Sequence, residues 1–348
     1  GELTPLLFFM KELIEAKWWK PTNNDKILCT LCPRYCTIGE GQHGFCYIRQ
    51  NINNKLYSIG YGRPTGFAID PIEKKPLNHF YPGSQILSFG TAGCNLGCKF
   101  CQNWSISKAK INDRNSLVYS AEDVVTLAQN YRVPSIAYTY NDPTIFGEYV
   151  MDISKIAREE GIKSVMVTAG YIDKSARKDV YKYIDAANVD LKAFSEYFYH
   201  KLTFSHLKDI LDTLCWIKNE TDIWLEITTL LIPNENDSSE EITQMINWIL
   251  QNLGDEVPLH FSAFHPDFKM RSKQKTPAST LLTARNIALT EGLKYCYTGN
   301  IYDTSSQTTY CPKCKTELIG RGWHDVTFNK VINGKCCECG EKISGFFE

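Results

Sequence analysis

The stretch GTAGCNLGCKFCQNW, residues 90–104, sets Cys94, Cys98 and Cys101 close together among Gly93, Gly97, Asn95, Lys99, Gln102 and Asn103. Glycines and amides at this density mark a loop. Three thiolates do not close a structural tetrahedral zinc site, which takes four Cys or His ligands. They do hold three irons of an iron–sulfur cube and leave the fourth iron open to another ligand. A run of small buried cysteines is the plainer alternative, since free Cys is among the most buried residue types. The spacing favours a cluster, and the architecture then turns on what surrounds the loop.

Immediately before it lies QILSFG (85–90), a run of strand formers, and after it the pattern alternates. AEDVVTLAQNYR has helical apolar spacing and SIAYTY is rich in β-formers. A helix from about Ile145 to Glu160 precedes KSVMVT, and one from Lys174 to Ile184 precedes NVDLKAF. A helix from His206 to Glu220 leads to DIWLEITTLLIP. DSSEE then opens another, with Ser238 or Ser239 as N-cap and Glu241 as a capping-box acid. LHFSAF, a helix from Ala278 to Glu291, and KYCYTG complete the series. Repeated strand–helix units with continuously apolar strands predict an α/β protein, a partial or full parallel (βα) barrel. Active-site residues of such barrels sit at the carboxyl ends of the strands, where the three-cysteine loop falls.

The chain has 348 residues, enough for about two domains or one barrel with additions. Its 38 basic and 39 acidic residues leave a net charge of −1, which gives no electrostatic footprint for nucleic acid or an anionic membrane. No apolar run reaches the ~20 residues needed to span a bilayer. The opening GELTPLLFFMKELIEAKWW carries Lys and Glu at helical spacing and reads as an amphipathic surface helix, not a signal peptide. Fourteen cysteines in tight clusters point to metal binding in a reducing cytoplasm more than to disulfides. Cys215 and Cys296 lie in apolar surroundings and read as core, and Cys337 as a bystander.

The spacing Cys94-xxx-Cys98-x-Phe100-Cys101 at the head of a parallel barrel resembles the CxxxCxΦC signature of the radical S-adenosylmethionine enzymes. The resemblance implies a [4Fe-4S] cluster on Cys94, Cys98 and Cys101 whose open iron chelates S-adenosylmethionine. One electron then cleaves the sulfonium to methionine and a 5′-deoxyadenosyl radical. It also implies Phe100 near the adenine, and Asn141 and Asp142 of TYNDPT at the methionine amino group, though NDP is otherwise a turn. Asp142 stands where the related activating enzymes usually have Glu. VDLKAF resembles the D-x-K element of pyruvate formate-lyase activating enzymes, which would bring Asp190 and Lys192 to the cofactor; a structural pairing of Lys192 is the alternative.

Two further candidates come from the residues themselves. Glu226 sits within an apolar strand, where an unpaired carboxylate is costly, so it needs a partner: the cofactor or a cation such as Lys192. AFHPD places His265 and Asp267 at the end of the sixth strand, as substrate contacts or as ordinary strand-end groups.

Over nearly the whole chain, LCPRYCTIGEGQHGFC, IDPIEKKPLNHFYPG, AGCNLGCKFCQNW, VDLKAFSEYFY, EITTLLIP, HFSAFHPDFKM and YTGN resemble, in that order, the radical enzymes of the AmmeMemoRadiSam system. LLIPNEND departs from that family's usual Gly after the Pro. The resemblance implies Memo-like and AMMECR-like partners and an electron donor such as flavodoxin or ferredoxin. Competing readings are an activase that installs a glycyl radical on a large protein, and a zinc-ribbon binding protein on a barrel without chemistry.

Cysteine-rich modules flank the barrel. Cys311/Cys314 and Cys336/Cys339 are two CxxC knuckles, the pattern of a four-cysteine zinc ribbon or a rubredoxin-like iron site; zinc is expected, because a segment this small needs a metal staple. Cys29, Cys32, Cys36 and Cys46 suit either zinc or an auxiliary cluster, with His43 able to replace one of them. The expected division is a helix and four-cysteine module over 1–80, the barrel over 81–300 and the ribbon over 301–348. The polar residues 300–309 are expected to be a linker.

Overall fold

The computed structural model describes residues 13–23, 25–111 and 117–348. Its centre is an eight-stranded sheet whose order in space follows the chain. The strands are β1 (Thr65–Pro71), β2 (Gln85–Gly90), β3 (Ser135–Tyr138), β4 (Lys163–Thr168), β5 (Ala186–Asp190), β6 (Trp224–Leu231), β7 (Leu259–Ala263) and β8 (Cys296–Gly299). All neighbours from β2 to β8 pair in parallel. β1 is antiparallel to β2. The edges β1 and β8 do not pair with each other among the described residues, so the barrel is partial.

The helices that join the strands are α1 (Ala121–Asn130), α2 (Gly147–Glu159), α3 (Lys174–Val180), α4 (Leu207–Glu220), α5 (Ser239–Asn252) and α6 (Ala278–Glu291). Each turns an apolar face onto the sheet, as α1 does with Val124, Val125 and Ala128. A capping box between Ser120 and Asp123 starts α1. Ser238 caps α5 by accepting from the Glu241 amide at 3.2 Å. The expected capping-box role of Glu241 is not taken up: its carboxylate accepts from the Phe194 amide at 2.7 Å and ties α5 to the segment after β5. α3 ends at Val180, four residues before the expected Ile184.

Three expectations are corrected. Residues 1–12 of the expected amino-terminal helix lie outside the described residues, and 13–19 are not helical. Backbone bonds from Ala16 to Leu56 and from Ser58 to Ile14 draw this segment across the cysteine module, and Trp19–Pro21 pairs with Ile27–Cys29. The division at residue 80 cuts the sheet, since β1 comes from the segment assigned to the first module. Residues 300–309 are not a loose linker. Asp303 caps a short helix, Thr304–Gln307, and the Ser306 and Thr309 hydroxyls are buried against those of Thr298 and Tyr297. Their polarity is satisfied inside the protein, which composition does not reveal.

The carboxyl-terminal module builds a strand, Glu317–Gly322, that pairs with Asp325–Asn329. Its Cys311, Leu318, Ile319, Cys336 and Ile343 form one apolar cluster with Tyr295 and Tyr297 at β8. Arg321 spans the open seam of the sheet: Nη2 donates to the Asn78 carbonyl at 2.8 Å, and Nη1 to Gln307 O at 3.1 Å and Thr309 Oγ1 at 2.8 Å.

Candidate functional site

The three-cysteine loop leaves the carboxyl end of β2 and is fixed on all sides. The Asn141 amide donates to the Thr91 and Gly93 carbonyls, each at 2.8 Å, and accepts from the Thr91 amide at 3.2 Å. Gly97 and Lys99 donate to Thr203 O at 2.8 Å and Leu202 O at 2.9 Å. Across the mouth of the barrel, the Lys269 amide donates to Lys99 O at 3.0 Å. Asn95 donates to Tyr171 O at 2.8 Å, Lys108 Nζ to Leu96 O at 2.9 Å, and Arg34 to Asn95 O. Gly93 has φ +85°, and a Cβ there would stand 1.9 Å from Cys46 O. No side chain fits at that position.

The three sulfurs are half-buried. Burial pushes the Cys94 thiol up to about 12 and Cys98 up to about 11, although Lys192 pulls Cys98 down. A metal is what makes such thiols ligands, because binding it displaces their protons. The Leu96 amide donates to Cys94 Sγ at 3.4 Å, and Cys101 Sγ lies 3.3 Å from Ser107 Oγ. Among the described residues, these sulfurs do not form a group within 4.8 Å of one another. Zn–S bonds of about 2.3 Å put sulfurs about 3.8 Å apart around one tetrahedral ion. A cube places each thiolate on a different iron and needs a wider triangle.

The other expected site residues divide into two groups. Lys192 and Asp190 stand beside the loop: Nζ is 2.7 Å from Asp190 Oδ2 and 6.0 Å from the centre of the Phe100 ring. Burial opposes the charge on Lys192, but Asp190 and then Cys98 hold its pKa above the usual lysine value. Phe100 is buried and packs on Phe198 at 5.7 Å between ring centres.

The Asn141 and Asp142 side chains, by contrast, are engaged by the protein. Asp142 accepts from the Thr144 and Ala169 amides at 3.0 and 2.8 Å and from Thr168 Oγ1 at 3.1 Å. They brace the strand ends under the loop. Glu226 does not pair with Lys192 either. Its buried carboxylate accepts from the Asn78 and His79 amides at 3.0 and 2.8 Å and from Trp224 Nε1 at 3.0 Å, and meets His260 Nε2 at 2.6 Å. Burial raises its pKa, but the hydrogen bond and charge of His260, together with His79 and Trp224, outweigh this and the net shift is downward. His265 is exposed. Asp267 accepts from the Phe268 amide at 2.6 Å, and Phe268 stacks on Trp104, so this loop closes over the cysteine loop.

Residues that sequence reasoning missed are Arg34, Ser107, Lys108, Tyr171 and Thr203. Most act through backbone contacts between distant segments, which leave no local pattern.

A cavity of about 350 Å³ opens beside Gln102 and Asn103, just past Cys101. The strand ends Thr139, Ser262 and Thr298 line it, with Lys75 on one side and Trp323 and His324 of the tail on another. Lys74 and Lys75 both pair with Asp70, at 2.8 and 2.7 Å. Two clefts of about 600 Å³ lie elsewhere, at Arg158–Lys182–Trp216 and at Arg285–Tyr295–Pro312, away from the cysteine loop.

At the carboxyl terminus, Cys311, Cys314, Cys336 and Cys339 gather their sulfurs within 4.8 Å of one another. Cys311 meets Cys339, and Cys314 meets Cys336, at 3.6 Å, a single-ion spacing that fits one tetrahedral metal. Hydrogen bonding with Thr316 draws the Cys314 thiol below its usual value. At the other end, Cys29, Cys32 and Cys46 are buried and Cys36 is half-buried, without that spacing. His43 is exposed, and its backbone forms a bridge with Gln50.

The sequence profile of the Radical SAM superfamily matches residues 89–248. An uncharacterized protein of Methanocaldococcus jannaschii is 44% identical over 335 residues, covering 94% of this chain and 98% of its own. A pyruvate formate-lyase-activating enzyme of Clostridium pasteurianum is 23% identical over 194 residues, covering 53% of this chain and 76% of its own. Among solved structures, a domain of the pyruvate-formate lyase-activating enzyme from Bacteroides vulgatus is similar, with 18% identity and a TM-score of 0.42. It covers 47% of this chain and 98% of that one.

Proposed function

Because the chain belongs to the radical SAM superfamily, we propose that it is an enzyme that cleaves S-adenosylmethionine reductively and takes a hydrogen atom from a small polar substrate. A [4Fe-4S] cluster on Cys94, Cys98 and Cys101 supplies the electron when bound. The chain's own part is to hold three thiolates on a loop fixed by Asn141, Thr203 and Lys269, and to set the Lys192–Asp190 pair beside it. Phe268 stacks on Trp104 and joins the segment after β7 to the cysteine loop.

The observation that carries the substrate class is the cavity of about 350 Å³ beside Gln102 and Asn103. That volume suits a small molecule. Hydroxyls and amides line it, and Lys74 and Lys75 share one Asp70, which favours a polar, anionic ligand. An activase must admit a protein segment, whereas this cavity has Trp323 and His324 of the tail in its lining. Memo-like and AMMECR-like proteins are proposed partners on the sequence resemblance.

The test is anaerobic reconstitution with iron and sulfide, followed by S-adenosylmethionine, a reductant and size-fractionated cell extract. Methionine and 5′-deoxyadenosine should form, more rapidly with the low-mass fraction, and Cys98→Ala should abolish them. Stimulation by the protein fraction alone, with a glycyl-radical doublet in electron paramagnetic resonance, would favour the activase.

A further inference from the structure

The amino-terminal module is more than a brace. Cys29 ends the strand Ile27–Cys29, Cys32 and Cys36 flank the turn that follows, and Cys46 lies in the turn closed by the Tyr47 amide on Gly44 O. The Cys29 amide donates to Cys36 O at 2.9 Å, which folds the first three cysteines together. Gly44 faces the Cys36 sulfur, where a Cβ would come within 3.6 Å. Around them, Ile27, Leu31, Ile38, Ile48 and Leu56 are buried and make the pocket dry.

We propose that Cys29, Cys32, Cys36 and Cys46 hold a second iron–sulfur cube, bound by four thiolates and seated against the Cys94–Cys101 loop, where it carries single electrons. Spacing separates this reading from zinc. The carboxyl-terminal tetrad has its sulfurs within 4.8 Å of one another, as one ion requires, whereas among the described residues the sulfurs of Cys29, Cys32, Cys36 and Cys46 do not gather within that distance. The pocket also supplies a countercharge. Arg49, fully buried and held by Glu148 at 2.9 Å, lies close enough to Cys29 and Cys46 to feel their charge.

Position gives the role. Arg34, between Cys32 and Cys36, donates to the carbonyl of Asn95, which lies between Cys94 and Cys98. Cys46 O packs on the bare α-carbon of Gly93, next to Cys94. The two cysteine sets therefore meet backbone to backbone. A cube with four thiolates has no open iron and binds no substrate. It gains one electron from a low-potential protein donor and loses one to the neighbouring site, with no bond made or broken. This role rests on the function proposed above; the metal assignment does not.

Metal analysis of the reconstituted whole chain tests the assignment. It should contain about eight irons and about one zinc; about four irons and about two zincs would overturn it. The Cys94→Ala/Cys98→Ala/Cys101→Ala variant should keep about four irons and show one reduced-cluster signal in electron paramagnetic resonance, even if the proposed activity proves wrong. Loss of all its iron would overturn the second cluster. The fully reduced wild type should show two signals broadened by their mutual interaction, and two sharp, independent signals would overturn the carrier role. Cys32→Ser/Cys36→Ser should lose about half of the iron. If that variant fails to fold, the triple variant and the wild-type metal count still decide the matter.

Discussion

Lys192 shows how one side chain is both readable and incomplete in sequence. Its place after a buried strand marks it as a strand-end cation, and it does stand beside Cys98 and Phe100, but its charge is already shared with Asp190. Lys192→Ala should lower affinity for S-adenosylmethionine by roughly 1.5–3 kcal/mol, the range for a lost hydrogen bond to a charged group, while the iron content stays constant. Calorimetry on the reconstituted protein would measure this, and unchanged affinity would make the pair structural. Asp70 gives a pH prediction. Burial raises its pKa, but the hydrogen bonds and charges of Lys74 and Lys75 together outweigh this and bring it from 3.8 to about 2. The unfolded chain binds that proton more readily than the folded one. The stability Asp70 contributes is therefore complete above pH 3.8 and is lost as pH falls towards about 2. Asp70→Asn should flatten the stability curve across that window in chemical denaturation. Glu226 could be recognised from sequence as a buried carboxylate in need of a partner. Its partners could not be found there, because Asn78 and His79 are 148 and 147 residues away.

Among the elements, the ones with strong local signals were legible. α6 spans Ala278–Glu291 as its pattern predicts, and Ser238 caps α5 because Ser, followed by acids and an apolar run, is a local start signal. The segment 13–19 was misread because its backbone amides bond to distant partners, Ala16 to Leu56 O and Lys17 to the Glu148 carboxylate, in place of the bonds of a helix. The cysteine loop itself was legible from spacing, but its support was not. Gly97 donates to Thr203 O, and a Cβ at Gly97 would lie 2.4 Å from the Phe204 ring. Gly97→Ala should lower the thermal midpoint and the iron content together. Phe204→Ala in the same chain should restore both, since it removes the ring and leaves the backbone bond. Failure of the second substitution to rescue would place the strain elsewhere.

For the whole molecule, the partial barrel follows from strand–helix alternation, whereas the attachment of the tail does not. The tail's cysteines form a single-ion site, but its apolar residues share a cluster with Tyr295 and Tyr297 at β8, so it is not an independent appendage. Cys336→Ser/Cys339→Ser should lose about one zinc per chain by elemental analysis and keep its iron. Binding energies of about 10–16 kcal/mol for structural zinc mean that the module should unfold, and the exposed edge at β8 should lower the thermal midpoint of the rest. Full retention of zinc would show that the metal lies elsewhere. Chelation of the wild type should reproduce the loss of stability, and added zinc should reverse it.

The bond network of Arg321 across the sheet's open seam has a consequence for how the protein is made. Residues near Asn78 are synthesised early, and Arg321 follows the last barrel strand out of the ribosome. Until it arrives, a nascent chain already carries Cys29–Cys46 and Cys94–Cys101 but lacks one wall of the cavity. Domains fold as their segments emerge, so metal insertion at Cys94–Cys101 can precede closure. A ribosome-stalled chain ending before residue 311 should therefore carry the cavity open on the side that Trp323 and His324 line in the released protein.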